Sequence, residues 1–186
     1  MTRYFNTEGR CRPDQHYMVR LDERLKVMKE QFVDRGKYFV INRGRQYGKT
    51  TTLRALADYL RDDYAVISMD FQKMSTASFA DEPAFVKAFI EYMEDIFWGN
   101  ERLKDSVAAE AYQRLIDLAT QKERSMDGMF RCLSRICRMA ARPVVLMIDE
   151  VDNASNNQVF VDFLAQLRGY WLSRGDSPIF HSVSLA

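Results

Sequence analysis

Gly48-Lys49-Thr50-Thr51 closes a short loop, Asn42-Arg43-Gly44-Arg45-Gln46-Tyr47, that follows the apolar run Tyr38-Phe39-Val40-Ile41. A helix-like run begins near Thr50. A strand, a tight loop ending Gly-Lys-Thr and then a helix form an arrangement suited to gripping the phosphates of a nucleotide. Gly48 lacks a Cβ, so the backbone can turn sharply and bring its N–H groups close to phosphate oxygens. Lys49 supplies a positive charge for the outer phosphates, and Thr50 offers a hydroxyl to Mg²⁺. The helix that starts there points the positive end of its dipole at the anion. The strict spacing would place the first glycine at position 43, where this chain has Arg43, with Gly44 one place later. The loop is therefore expected to follow a slightly different path, with Arg43 adding charge beside the phosphates. A surface turn that happens to contain Lys-Thr is the plain alternative for this segment taken alone.

A second pattern lies a hundred residues on. Pro143-Val144-Val145-Leu146-Met147-Ile148-Asp149-Glu150 reads as a strand ending in two acids. Five apolar residues in a row cannot alternate between core and solvent, so both faces of the strand must be covered, as in a parallel sheet. In open α/β sheets ligands sit at the carboxyl ends of the strands. Asp149 is placed to hold Mg²⁺ through water, and Glu150 to polarise an attacking water. An acidic turn after a strand is common, and the Gly-Lys-Thr loop upstream is what favours the chemical reading.

Around these motifs, strands alternate with helices. Leu21 to about Arg35 has a helical stripe of Leu25, Met28 and Phe32, stopped by Gly36. The first core strand spans 37–42, and the helix after the loop, 50–61, turns Leu53, Leu56, Ala57 and Leu60 to one side. A second strand covers 65–71. Helical stripes follow through Phe85, Phe89, Met93, Ile96 and Phe97, then Val107, Ala111, Leu115 and Leu118, then Met129, Phe130, Leu133, Ile136, Cys137 and Ala140. The last of these stops at Arg142-Pro143. Residues 158–173 form a further helix, with Phe160, Phe163, Leu164, Leu167 and Trp171 inward, and 179–185 a fourth strand. The alternation predicts a doubly wound parallel sheet with helices on both faces, a three-layer αβα fold. Residues 1–20 read as an irregular leader, and 21–186 as one core domain.

A chain of 186 residues, 47% hydrophobic, can bury a core of that kind. Its net charge of +1 argues against a generally cationic nucleic-acid binder, and this segment gives no sign of nucleic-acid binding. Arg131, Arg135, Arg138 and Arg142 recur at helical spacing and read as a solvated helix face. Cys11, Cys132 and Cys137 form no Cys-x-x-Cys pair, which suggests reduced thiols and a cytoplasmic setting. The polar start has no signal-peptide core, and no apolar run approaches a membrane span.

The chain resembles P-loop ATPases of the additional-strand, catalytic-glutamate class, near the AAA-like ATPases of bacteria. The residues that carry the resemblance are Arg45-Gln46-Tyr47-Gly48-Lys49-Thr50-Thr51-Thr52-Leu53 and Val144-Val145-Leu146-Met147-Ile148-Asp149-Glu150-Val151-Asp152, with a softer likeness in Tyr4-Phe5-Asn6-Thr7-Glu8-Gly9 and His16-Tyr17-Met18-Val19. It implies that the last strand inserts between the phosphate-loop strand and the acid-tipped strand, and that 65–71 lies outside the latter. It implies ATP and Mg²⁺ as cofactors, phosphate contacts from Arg43, Gly44, Arg45, Gln46, Tyr47, Gly48, Lys49, Thr50 and Thr51, metal ligation by Thr50 and Asp149, and catalysis by Glu150 with Lys49. It also places the leader beside adenine, where Tyr17 either stacks on the base or packs in the core. Such proteins usually continue with another strand and a helical lid, so this sequence reads as the front part of a longer protein, with its phosphate-loop strand an open sheet edge. Further domains or a second copy are then the expected protein partners. A surface role is the better reading for Arg168 and Arg174, the two weak candidates for an arginine finger.

Two other functions share this loop. A nucleotide-gated switch or assembly module would bind ATP with negligible turnover. A small-molecule kinase would use the same phosphate grip, but Asp149-Glu150 is suited to activating water, which is the wrong chemistry for a kinase.

Overall fold

The computed structural model describes residues 4, 5, 15–17, 19–42, 44, 47–175 and 179–186. Four parallel strands form one sheet: β1 (Tyr38–Val40), β2 (Ala65–Asp70), β3 (Val144–Asp149) and β4 (Ser182–Leu185), in the spatial order β1-β4-β3-β2. The last strand of the chain thus lies between the phosphate-loop strand and the acid-tipped strand, and β2 lies outside β3, as the resemblance implies. All six residues of β3 are buried. Its apolar run is explained by helices on both faces.

The two faces carry different helices. On one side α1 (Asp22–Met28) and α2 (Lys49–Leu60) pack Leu25, Met28, Leu53, Leu56 and Leu60 against Val145 and Met147. On the other, α3 (Glu82–Trp98), α5 (Ala109–Thr120), α6 (Met126–Met139) and α7 (Gln158–Leu172) bury a larger core against Ile67, Met69, Leu146, Ile148 and Val183. A short helix, α4 (Glu101–Ser106), joins α3 to α5; Asn100 caps it by accepting from Leu103 N at 3.3 Å. This helix lies in the gap between the apolar stripes that end at Phe97 and resume at Val107. Phe163 is the hub of the larger core, with ring centroids 5.4 Å from Phe85 and Phe89 and 5.6 Å from Phe130. The aromatic stripe is therefore core.

The first helix departs from the expected pattern. Beyond Met28 it continues as a π-helical turn, Lys29–Val33, in which Asp34 N donates to Lys29 O at 2.8 Å. The wider turn shifts the buried stripe by one residue. Val33 is fully buried, whereas Phe32 is half-buried and packs its ring on Phe39. Gly36, at φ +61°, ends the helix as expected.

On β4 the residues on the α1–α2 side of the sheet are small: Ser182 and Ser184, with Ala186 just beyond the strand. The π-helical turn Lys29–Val33 packs against β4. Ser182 Oγ donates to Lys37 O at 2.6 Å. Among the described residues β1 pairs with β4 alone, and Val40 at its end is 62% exposed.

Candidate functional site

The carboxyl ends of the strands bring the two motifs together. After β1 the chain bonds Ile41 N to Leu185 O at 2.7 Å and then leaves the sheet. A turn closes with Tyr47 N donating to Gly44 O at 3.3 Å. A Cβ on Gly44 would come within 3.2 Å of the Tyr47 ring, so a side chain at 44 would crowd that aromatic. Gly48 stands just before α2 at φ +75°, a conformation L side chains rarely adopt, while a Cβ there would meet nothing within 4 Å. The requirement at Gly48 is thus conformational, and the space beside it is open. Thr52 N bonds back to Gly48 O at 2.8 Å, so the helix begins directly at Lys49. The first N–H groups of α2 lack intrahelical acceptors and face the carboxyl end of the sheet.

Asp149 ends β3 and is 5% exposed. It shares the parity of Val145 and Met147, so it projects to the α2 side of the sheet. One carboxylate oxygen, Oδ1, accepts from Glu150 N at 3.1 Å. Glu150 has φ +58° and ψ +39°, the left-handed region, and is the one non-glycine residue at positive φ among those described. Backbone strain of this kind concentrates at functional sites. The turn it makes lets Val151 N donate to Ala186 O at 3.2 Å while Ala186 N donates to Ile148 O at 2.9 Å. A short 3₁₀ turn, Val151–Asn153, follows.

The Lys49 ammonium lies 3.2 Å from Asp152 Oδ2, across 103 residues of sequence. This contact decides the geometry: the lysine of the loop and the acids after Ile148 occupy one notch. Asp152 carried no assigned role in the sequence reading, although it is the third acid of Asp149-Glu150-Val151-Asp152. A further acid was also passed over. Asp70 is the register partner of Asp149 and sits on the same face of the sheet. It ends a strand as Asp149 does, the signal that would have found it. Its Oδ1 accepts from Gln72 N at 3.0 Å.

Could these residues hold a magnesium ion with a nucleotide? Asp149 keeps one carboxylate oxygen clear of the Glu150 N–H, and Thr50 places a hydroxyl in the first turn of α2. An oxygen-only set of one carboxylate and one hydroxyl suits Mg²⁺, which takes its other ligands from phosphates and water. Among the described residues no group of three or more His, Cys, Asp or Glu side chains is positioned to hold a metal by itself. One carboxylate and one hydroxyl would leave the remaining positions of such an ion to phosphate oxygens and water.

A family model described as an AAA-like domain matches residues 7–186. The chain belongs to the AAA-like domain family. Neither the curated proteins nor the solved structures gave a match. Family membership points to a nucleotide-binding, ATPase-type domain.

The remaining expected residues of this AAA-like domain divide clearly. Arg43, Arg45 and Gln46 lie outside the described residues, as do most of the leader and Cys11. Tyr47 is 74% exposed, and Thr50 and Thr51 are half-buried. Tyr17 is not a core residue: it is 53% exposed and packs against the exposed ring of Phe5 at 5.0 Å. Arg174 is held at the opposite end of β1, where it donates to Gly36 O at 2.6 Å and lies over the Trp171 ring. Arg168 is exposed on α7.

Two of the α6 arginines pair with acids: Arg131 with Asp127, and Arg135 with Glu110 at 3.7 Å. Arg142 lies beyond that helix and donates to the carbonyls of Arg61 and Asp62, so it belongs to a loop contact and not to the helix face. Cys132 and Cys137 are both on α6 with free thiols, and burial pushes the Cys137 thiol up to about 12. Among the described residues no helix is long and apolar enough to cross a membrane.

Proposed function

We propose that this domain binds ATP with Mg²⁺ and hydrolyses it to ADP and phosphate. The observation that carries the reading is the 3.2 Å approach of Lys49 to Asp152, which puts the lysine of the loop and the strand-end acids in one notch. N–H groups at the start of α2 and the Lys49 ammonium bind the phosphates; Arg43, Gly44, Arg45, Gln46 and Tyr47 are proposed to add further phosphate contacts. Thr50 and Asp149 hold the Mg²⁺, which neutralises charge on the phosphates when bound. Glu150 orients a water in line with the outer phosphate and accepts its proton. Its left-handed backbone turns it out of the strand immediately after Asp149. Positioning and charge neutralisation are most of what phosphoryl transfer requires, and these residue types supply both. Tyr17, exposed in the leader, is available to stack on adenine.

The test is phosphate release measured on the purified protein alongside Lys49→Ala and Glu150→Gln. Both substitutions are expected to abolish turnover, and Glu150→Gln to retain ATP binding. Turnover unchanged in both variants would remove the catalytic assignment. Tight binding with no release by the unaltered chain would instead favour the nucleotide-gated switch.

A further inference from the structure

The ion pair that locates the site also has its own consequence. Lys49 and Asp152 are unequal partners: the lysine side chain is 15% exposed, the aspartate 74%. The lysine is held at the start of α2 with most of its side chain covered. The carboxylate stands on a turn facing solvent, so it can leave the contact and be hydrated at small cost. Its backbone is fixed independently, since Asp152 O accepts from Ser155 Oγ at 2.8 Å. The side chain can therefore swing while the turn stays in place.

We propose that Asp152 is the resident counter-ion of Lys49, and that a triphosphate enters the notch by displacing its carboxylate. The proposal rests on the ATP-binding reading above and deepens it. Before nucleotide arrives, the Lys49 ammonium has Asp152 as its anionic partner; afterwards the phosphate, with greater charge, takes that place. The exchange lowers apparent affinity, because only chains with the Lys49 ammonium released are competent to bind. It also links phosphate arrival to the segment bearing Glu150, which lies two residues before Asp152. Asp152 is thus a positioning residue acting through Lys49.

The experiment is an equilibrium titration of the full chain, without Mg²⁺ and at fixed ionic strength, with ATP carrying a fluorescent ribose label. Asp152→Asn is expected to bind about fivefold more tightly than the unaltered chain, the ratio that about 1 kcal/mol of lost competition gives. In a Lys49→Ala background the same substitution should give no such gain, because the ammonium it would release is absent. Asp152→Ser provides a second variant with the same expected direction, and thermal melting verifies that each protein is folded. Unchanged or weaker binding by both Asp152 variants, with the unaltered chain binding normally, overturns the inference and leaves the ATP reading intact. A gain that persists without Lys49 also overturns it, by reducing the effect to general charge. An unaltered chain that binds no labelled ATP brings down both readings.

Discussion

Glu150 combines a backbone cost with a proposed chemical role, and two substitutions separate them. Its φ of +58° puts an L side chain in the left-handed region, at a cost of roughly 1–2 kcal/mol. Glu150→Gly removes that cost but adds conformational freedom to the unfolded chain, worth roughly 0.5–1 kcal/mol in the opposite direction. Taking the middle of each range, the net expectation is stabilisation by about 0.75 kcal/mol. For a chain of this size that raises the melting temperature by about 1–4 °C. Glu150→Gln keeps the side-chain bulk and the strain, so its melting temperature should stay close to that of the unaltered chain. Both variants should lose ATP turnover by about a hundredfold or more, the usual scale for removal of a general base. Thermal melts followed by circular dichroism, with phosphate release measured on the same preparations, test both halves. If Glu150→Gly melts no higher than Glu150→Gln, the strain argument is wrong. If either variant keeps full turnover, the assignment of Glu150 is wrong.

The hydroxyl of Ser184, on β4 between β1 and β3, is buried with no hydrogen-bond partner among the described residues, so Ser184→Ala should stabilise the fold by about 1 kcal/mol in denaturant unfolding; a loss of stability would show that the hydroxyl is satisfied. Burial works against the Asp34 carboxylate, but the Tyr64 hydroxyl at 2.7 Å and the Lys29 ammonium at 2.9 Å hold it below the usual carboxylate range. A depressed acid stabilises the fold above its unfolded value, near pH 4, and that contribution fades as pH falls through the folded value. The stability advantage of the unaltered chain over Asp34→Asn should therefore shrink below about pH 4, and an advantage that is constant from pH 7 to pH 3 would count against the pairing.

Several features were legible because they are written locally. Gly48-Lys49-Thr50 between an apolar run and a helical run announced the turn from β1 to α2, since strand and helix periods differ and a glycine marks the joint. The unbroken run ending at Ile148 announced a strand covered on both faces, and that strand has all six residues buried. Other features had only a faint local trace. The π-helical turn moved the buried position from Phe32 to Val33, and a 3.6-residue stripe cannot anticipate that shift. Arg142 looked like a fourth member of the α6 arginine face until its carbonyl partners near Asp62 were visible.

Sequence by itself determined the residue types, the element order and the two chemical motifs, because hydrophobic period, turn residues and acids at a strand end are properties of neighbouring positions. Only the tertiary structure decided that Lys49 meets Asp152, that Asp70 stands beside Asp149, and that Glu150 occupies the left-handed region. Each depends on which strands lie side by side and on how the chain turns as it leaves them. Those relations form across tens of residues, through packing on both faces of the sheet, and no short stretch of sequence contains them.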